Sequence, residues 1–179
     1  MKKYLSAFTA FCFIASSAVI GQDIHFSQYN LSPLLLNPSL AGASKSHEVI
    51  MNYKNQWSSI APDAGYKTSM LSYSARVMEK KLKSKWFSAG VSLFNDEAGE
   101  GNMKTLQGNV FLGYHIKLDR LSILGGGLTG GFAQRRLDYS KLMWDSQYIN
   151  GAYDPGAQSN EAIDNARFGY ADFGLGFLY

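Results

Sequence analysis

Past its first twenty-one residues the sequence has no cysteine, no run of about 18 or more apolar residues and little net charge. Cys12 is the sole cysteine, and it lies inside an apolar leader behind Phe11 instead of the small residue that a lipoprotein signal requires. A mature chain then has no thiol, disulfide or cysteine-ligated metal, and must be held together by strand pairing and burial. The lack of a second long apolar run excludes a protein that spans a membrane with helices. A net charge of +3, with no basic patch interleaved with aromatics, gives nucleic-acid binding no support.

Against 4 Pro the chain carries 18 Gly, 11 Tyr and 11 Phe, an excess that suits barrel strands and interfacial aromatic girdles. Its mean hydropathy of -0.16 does not oppose such a fold, because a barrel turns only alternate residues to lipid. The first twenty-one residues read as a secretory signal peptide: Lys2 and Lys3, an uncharged apolar run from Tyr4 to Ile20, and Gly21 before a cut that leaves Gln22 first. Residues 22–46 form an irregular segment placed in the periplasm or the lumen, and 47–179 the N-terminal part of a barrel domain.

The clearest pattern runs from Lys104 to Gln134. Leu106, Gly108, Val110, Leu112, Tyr114, Ile116 and Leu118 alternate with Thr105, Gln107, Asn109, Gly113, His115 and Lys117, a period of two with one apolar face. The run is longer than the 5 to 6 residues usual in soluble strands and reaches the about 9 to 11 needed to cross a bilayer. Asp119 and Arg120 reverse the chain. A three-residue loop keeps Leu124, Leu128 and Phe132 on the face of Leu106 and Leu112, whereas a two-residue turn would move them to the polar side. An apolar face outside and a wet face inside describe a transmembrane barrel. A soluble sandwich or lipocalin-like barrel with the apolar face inward is the alternative.

Four further alternating runs predict strands at His47–Trp57, Tyr66–Val77, Trp86–Asn95 and Arg167–Tyr179. The fold class is therefore all-β, an antiparallel outer-membrane β-barrel with about six strands present. Closed single-chain membrane barrels begin at about eight, so an incomplete barrel or a fragment is expected. A chain that enters from the periplasm puts the loops Ser58–Gly65, Asp96–Met103 and Arg135–Ala166 outside, and Met78–Lys85 and the tight turn inside. The longest loop then falls outside and the shortest inside, as in outer-membrane barrels.

No constellation for chemistry emerges, and no cofactor, metal or catalytic residue is expected. Gly125–Gly130 fits G-x-G-x-x-G, but the pattern needs a following helix and strand continues here, so the glycines read as close-packing positions. His25, His47 and His115 lack metal-ligand spacing, and Asn95, Asp96, Glu97, Glu100 and Asn102 lack the spacing of a calcium loop. The long loop carries Tyr139, Leu142, Trp144, Tyr148 and Tyr153, aromatic and apolar groups that suit protein contact, or else a plug buried in the barrel.

Pro33 and Pro38 forbid a regular strand or helix in 22–43, yet its leucines ask for burial, which suggests a segment tucked into the lumen or against its mouth. The run HFSQYNLSPLLLNPSLAG, with Phe26, Ser27, Gln28, Tyr29, Pro33, Asn37, Pro38 and Gly42, is followed by Asn55, Gln56 and Trp57 in YKNQW. With Ser69–Ser74, Asn95–Gly99, Gly113–Ile116 and Leu137–Asp145, it resembles the PorP/SprF family of type IX secretion system membrane proteins over nearly all the mature chain. The resemblance implies an outer-membrane barrel of gliding and secreting Bacteroidetes, and the missing catalytic constellation speaks against the further alternative of an outer-membrane enzyme such as a lipase. Its implied partners are outer-membrane lipid and either the type IX machinery or an exported surface adhesin. A porin-like passive channel is the alternative function.

Overall fold

The structure, a computed structural model, describes residues 29–60, 65–79, 84–99, 101, 103–138, 142–149, 151–159 and 167–179. Six long strands form one antiparallel sheet: β1 His47–Gln56, β2 Tyr66–Val77, β3 Lys85–Ala98, β4 Met103–Lys117, β5 Ile123–Arg136 and β8 Arg167–Leu178. Each long strand pairs with the next, and β1 and β8 are the edges of an open sheet. Two short strands, β6 Tyr148–Ile149 and β7 Ala152–Tyr153, pair with each other in the last loop.

The hairpin register is the three-residue one. Leu112 faces Leu128, Ile116 faces Leu124, and the Leu118 N–H donates to the Ser122 carbonyl at 3.0 Å around Asp119, Arg120 and Leu121. β3 runs past the expected Asn95 to Ala98, which corrects the loop that sequence alone starts at Asp96. Two pairings explain the extension: Thr68 donates to Asp96 at 2.6 Å across the β2–β3 ladder, and Lys104 bridges Glu97 at 2.9 Å across β3–β4.

The two faces differ in the sense opposite to that of a water-soluble sheet. Met51, Leu71, Leu93, Leu112, Leu128 and Phe173 are exposed, while Thr68, Ser72, Ser92, Thr105, Asn109 and His115 are buried. A soluble sandwich would bury the first set, because apolar surface removed from water is worth about 25 cal/mol per Å². A lipid-facing sheet leaves it outward. From Leu106 to Ile116, β4 advances about 34 Å, or about 26 Å of depth at a tilt near 40°, close to the height of the apolar band on outer-membrane barrels.

Ahead of β1 the chain is neither extended nor wholly irregular. It makes a 3-10 turn at Tyr29–Leu31, one α-helical turn α1 at Pro33–Leu36, and a 3-10 turn at Pro38–Leu40. Pro33 and Pro38 do not prevent these turns because each opens one, where its missing N–H has no acceptor to lose. Asn37 separates the two proline turns, and its side chain accepts from the Ser39 N–H at 3.0 Å. This segment packs on the polar face of the sheet, against β4, β5 and β8.

Candidate functional site

One row of the polar face lacks side chains almost completely. The register places Ser88 beside Gly113, Gly113 beside Gly127, and Gly127 beside Gly176, on four adjacent strands. The backbone of residues 37–42 lies along this row. A Cβ on Gly127 would stand 2.5 Å from the Ser39 nitrogen, one on Gly176 would overlap the Asn37 side chain, and one on Gly42 would come within 2.8 Å of the Ser88 Cβ. Gly42 also has a φ of +59°, which an L side chain rarely adopts. Small residues on both partners are what let two backbones approach so closely.

Three side chains grip the segment at one end of the row. Arg76 donates Nε–H to the Gly42 carbonyl at 2.8 Å and from Nη2 to the Ala43 carbonyl at 2.7 Å. Trp86 donates its indole N–H to the same Gly42 carbonyl at 3.1 Å, and His115 donates from Nε2 to the Ser39 carbonyl at 2.7 Å. The three also stack: the Arg76 guanidinium lies 4.5 Å from the Trp86 ring centre, and the His115 ring lies 5.2 Å from it at an interplanar angle of 8°. At the other end Asn37 donates to the Phe177 carbonyl at 2.8 Å, and away from the row, on edge strand β1, Asn52 donates to the Ser32 hydroxyl at 2.8 Å. Between them Leu34, Ala41 and Phe111 form one apolar cluster, and Met70 and Phe94 form another with Leu35 against it. Residues 29–43 thus plug the polar face.

The last loop has a fold of its own. Gln147 is its hub: its backbone N–H and carbonyl bond Trp144 and Asp154, and its buried side chain bonds the Trp144 N–H at 3.2 Å and the Ala157 carbonyl at 3.1 Å. Tyr148 and Tyr153 are opposite each other on the β6–β7 ribbon with ring centres 5.6 Å apart, 54% and 37% exposed. At its start the loop leans on the β3–β4 connection, where the Asp138 N–H donates to the Gly101 carbonyl at 2.8 Å and Leu137 and Leu142 crowd the glycine. The polar face is covered by residues 29–43, through contacts of its turns with β4, β5 and β8.

An exposed apolar face, a polar face covered by an N-terminal segment and a folded last loop invite comparison with known proteins. The family model described as type IX secretion system membrane protein PorP/SprF matches residues 18–179. The chain belongs to the PorP/SprF family. No curated protein and no solved structure matches it.

The residues that carried the PorP/SprF resemblance do not all meet in space. Pro33, Asn37, Pro38 and Gly42 belong to the plug, with Tyr29 exposed at its start. Asn55 and Gln56 end β1 at the opposite end of the strand, and Trp57 follows with a φ of +61° and its ring edge-on to Tyr66 at 5.5 Å. In the loop Leu142 and Trp144 are half-buried while Tyr148 and Tyr153 pair outward. Phe26, Ser27, Gln28, Tyr139 and residues 1–21, where the sequence reads as a signal peptide, lie outside the described residues.

Sequence reasoning missed Arg76 and Trp86, although a cation and an indole among the serines of a polar face are a readable anomaly. It also read the β5 glycines only as packing positions. Gly125 and Gly127 do lie on the plug side, against His115 and Ser39, while Gly126 and Gly130 face outward beside Phe177 and Phe173. Of the other candidates, His47 Nδ1 lies 2.9 Å from the Tyr73 hydroxyl, and Asp96 and Glu97 are engaged by Thr68 and Lys104. Among the described residues no cluster of side chains has metal-ligand geometry. Two buried atoms there lack a hydrogen-bond partner, Ser88 Oγ and His115 Nδ1, and both border the space left by the missing side chain of Gly113.

Proposed function

We propose that this PorP/SprF chain is an outer-membrane barrel subunit of the type IX system that acts by protein contact, handing on or holding an exported surface protein through its last loop. The observation that carries the reading is the Tyr148–Tyr153 pair, held outward on a ribbon that Gln147 organises. Aromatic groups on a pre-formed scaffold give contact area at a small cost in ordering. The covered polar face favours contact over passage: a passive channel needs an open polar path, and residues 29–43 lie across the polar face of the sheet with their backbone pinned at Ser39, Gly42 and Ala43.

The test is affinity capture of the tagged full-length protein from detergent-solubilised outer membranes. Wild type is expected to bring down type IX components or an exported surface protein. Tyr148→Ala with Tyr153→Ala should weaken that capture about tenfold or more, the usual loss for aromatic anchors, at unchanged membrane yield. Capture that is unaffected by the pair refutes the loop as the contact. Steady single-channel conductance of the wild type in a planar bilayer would instead support the channel.

A further inference from the structure

The outward face ends in a row of charge at the long-loop end of the sheet. Following the register across five strands, Lys67 lies beside Glu97, Glu97 beside Lys104, Lys104 beside Arg136, and Arg136 beside Arg167. All five are on the face of Leu71, Leu93, Leu106, Phe132 and Phe173, so the row borders the apolar band directly. Glu97 is taken by Lys104 at 2.9 Å. Arg136 and Arg167 are left as two like charges in directly opposed positions, a pairing that destabilises a sheet unless an anion lies between them. Both are exposed, and neither has a carboxylate partner among the described residues.

We infer that Arg136 and Arg167 bind the phosphomonoester of a lipid headgroup in the leaflet on the long-loop side. The inference rests on the membrane placement and on no other part of the proposed function. Three physical points favour this occupant. Two guanidiniums offer planar forks that match phosphate oxygens, and their two charges match a phosphomonoester better than a singly charged diester. The position is also right: in a tilted barrel a step from one strand to the next changes depth by only about 3 Å, within a headgroup layer some 5 to 7 Å thick. Finally, the apolar row next to the arginines supplies the surface on which acyl chains of the same lipid would lie.

The experiment reconstitutes full-length protein in phosphatidylcholine vesicles doped with lipid A, whose disaccharide carries phosphomonoesters, and measures the lipid A retained per protein after purification. Wild type should enrich lipid A over the bulk, and Arg136→Gln with Arg167→Gln should lower the enrichment about tenfold. Lys85→Gln, which removes an exposed charge at the other end of the same face, should change nothing. Arg136→Glu is the folding control: it gives Arg167 a partner within the chain, so enrichment should fall while the unfolding temperature rises. The inference is overturned by unchanged enrichment in the arginine double variant, by equal loss in Lys85→Gln, or by equal enrichment of phosphatidylglycerol. Displacement by inorganic phosphate would also overturn it, by pointing to a free-anion site. Failure of the wild type to enter any vesicle would count against the membrane placement itself, and with it against the inference.

Discussion

His115 donates its Nε2 proton to the carbonyl oxygen of Ser39 at 2.7 Å, a bond between residues 76 apart in sequence. It ties the plug to β4 through a backbone atom, so the identity of residue 39 matters less than its position. The imidazole is oriented by its stack on Trp86, which is itself covered by Arg76.

The substitution His115→Phe keeps a flat ring over Trp86 and removes the donor. The buried Ser39 carbonyl then loses its partner, at a cost of about 1 to 3 kcal/mol. Urea unfolding of vesicle-reconstituted protein should register that loss. A Ser39→Cys reporter should be labelled by a thiol reagent faster in the His115→Phe background than in the wild-type one, and equal labelling rates would mean that the bond does not hold the plug.

Gly127 and Gly130 are three residues apart on β5, on opposite faces, and should respond to alanine in opposite ways. At Gly127 the new Cβ meets plug backbone at 2.5 Å; at Gly130 it meets the Phe173 ring at 3.6 Å, an ordinary contact. Gly127→Ala is therefore expected to destabilise by about 1 to 3 kcal/mol through overpacking. Gly130→Ala should stay within about 0.5 kcal/mol of wild type. Comparable unfolding midpoints for the two variants would show that the plug does not sit on the glycine row.

Glu79 lies in the connection after β2. The hydrogen bond from Arg76 at 2.7 Å, aided by Ser46, holds its carboxyl below the ordinary glutamate range against a smaller opposing effect of desolvation. A group whose acidity is greater in the folded state favours folding when ionised. Its contribution is complete above the unfolded value of about 4.3 and is lost as the pH falls through the lower folded value. Stability measured from neutral pH down into the acid range should thus fall less steeply for Glu79→Gln than for wild type. Parallel acid limbs would exclude the Arg76 contact as their source.

Much of the sheet was legible because alternation is a local property. His47, Tyr66, Ile123 and Arg167 start strands where the period of two begins, and the odd loop at Asp119–Leu121 follows from keeping Leu112 and Leu128 on one face. The plug was legible only as an apolar segment in need of cover. Its site is a row of residues distinguished by what they lack, scattered at Ser88, Gly113, Gly127 and Gly176, and the row exists only once four strands are in register. Its grips take hold of carbonyls, which every residue has, so no side-chain pattern in 39–43 announces them. The end of β3 was misplaced for a related reason: Asp96 and Glu97 look like loop residues until Thr68 and Lys104 stand opposite them.

The glycine row also sets an order of assembly. The plug precedes every strand in the chain, yet its berth ends at Gly176, and the Asn37 bond to the Phe177 carbonyl spans 140 residues. Local hairpins close cheaply and early, while contacts of such separation must wait for the loops between them to be closed. The first described turns of the chain are thus the last to find their place on the sheet. Until the sheet is in register, Leu34 lacks its cover from Phe111, and Leu35 its cover from Met70 and Phe94.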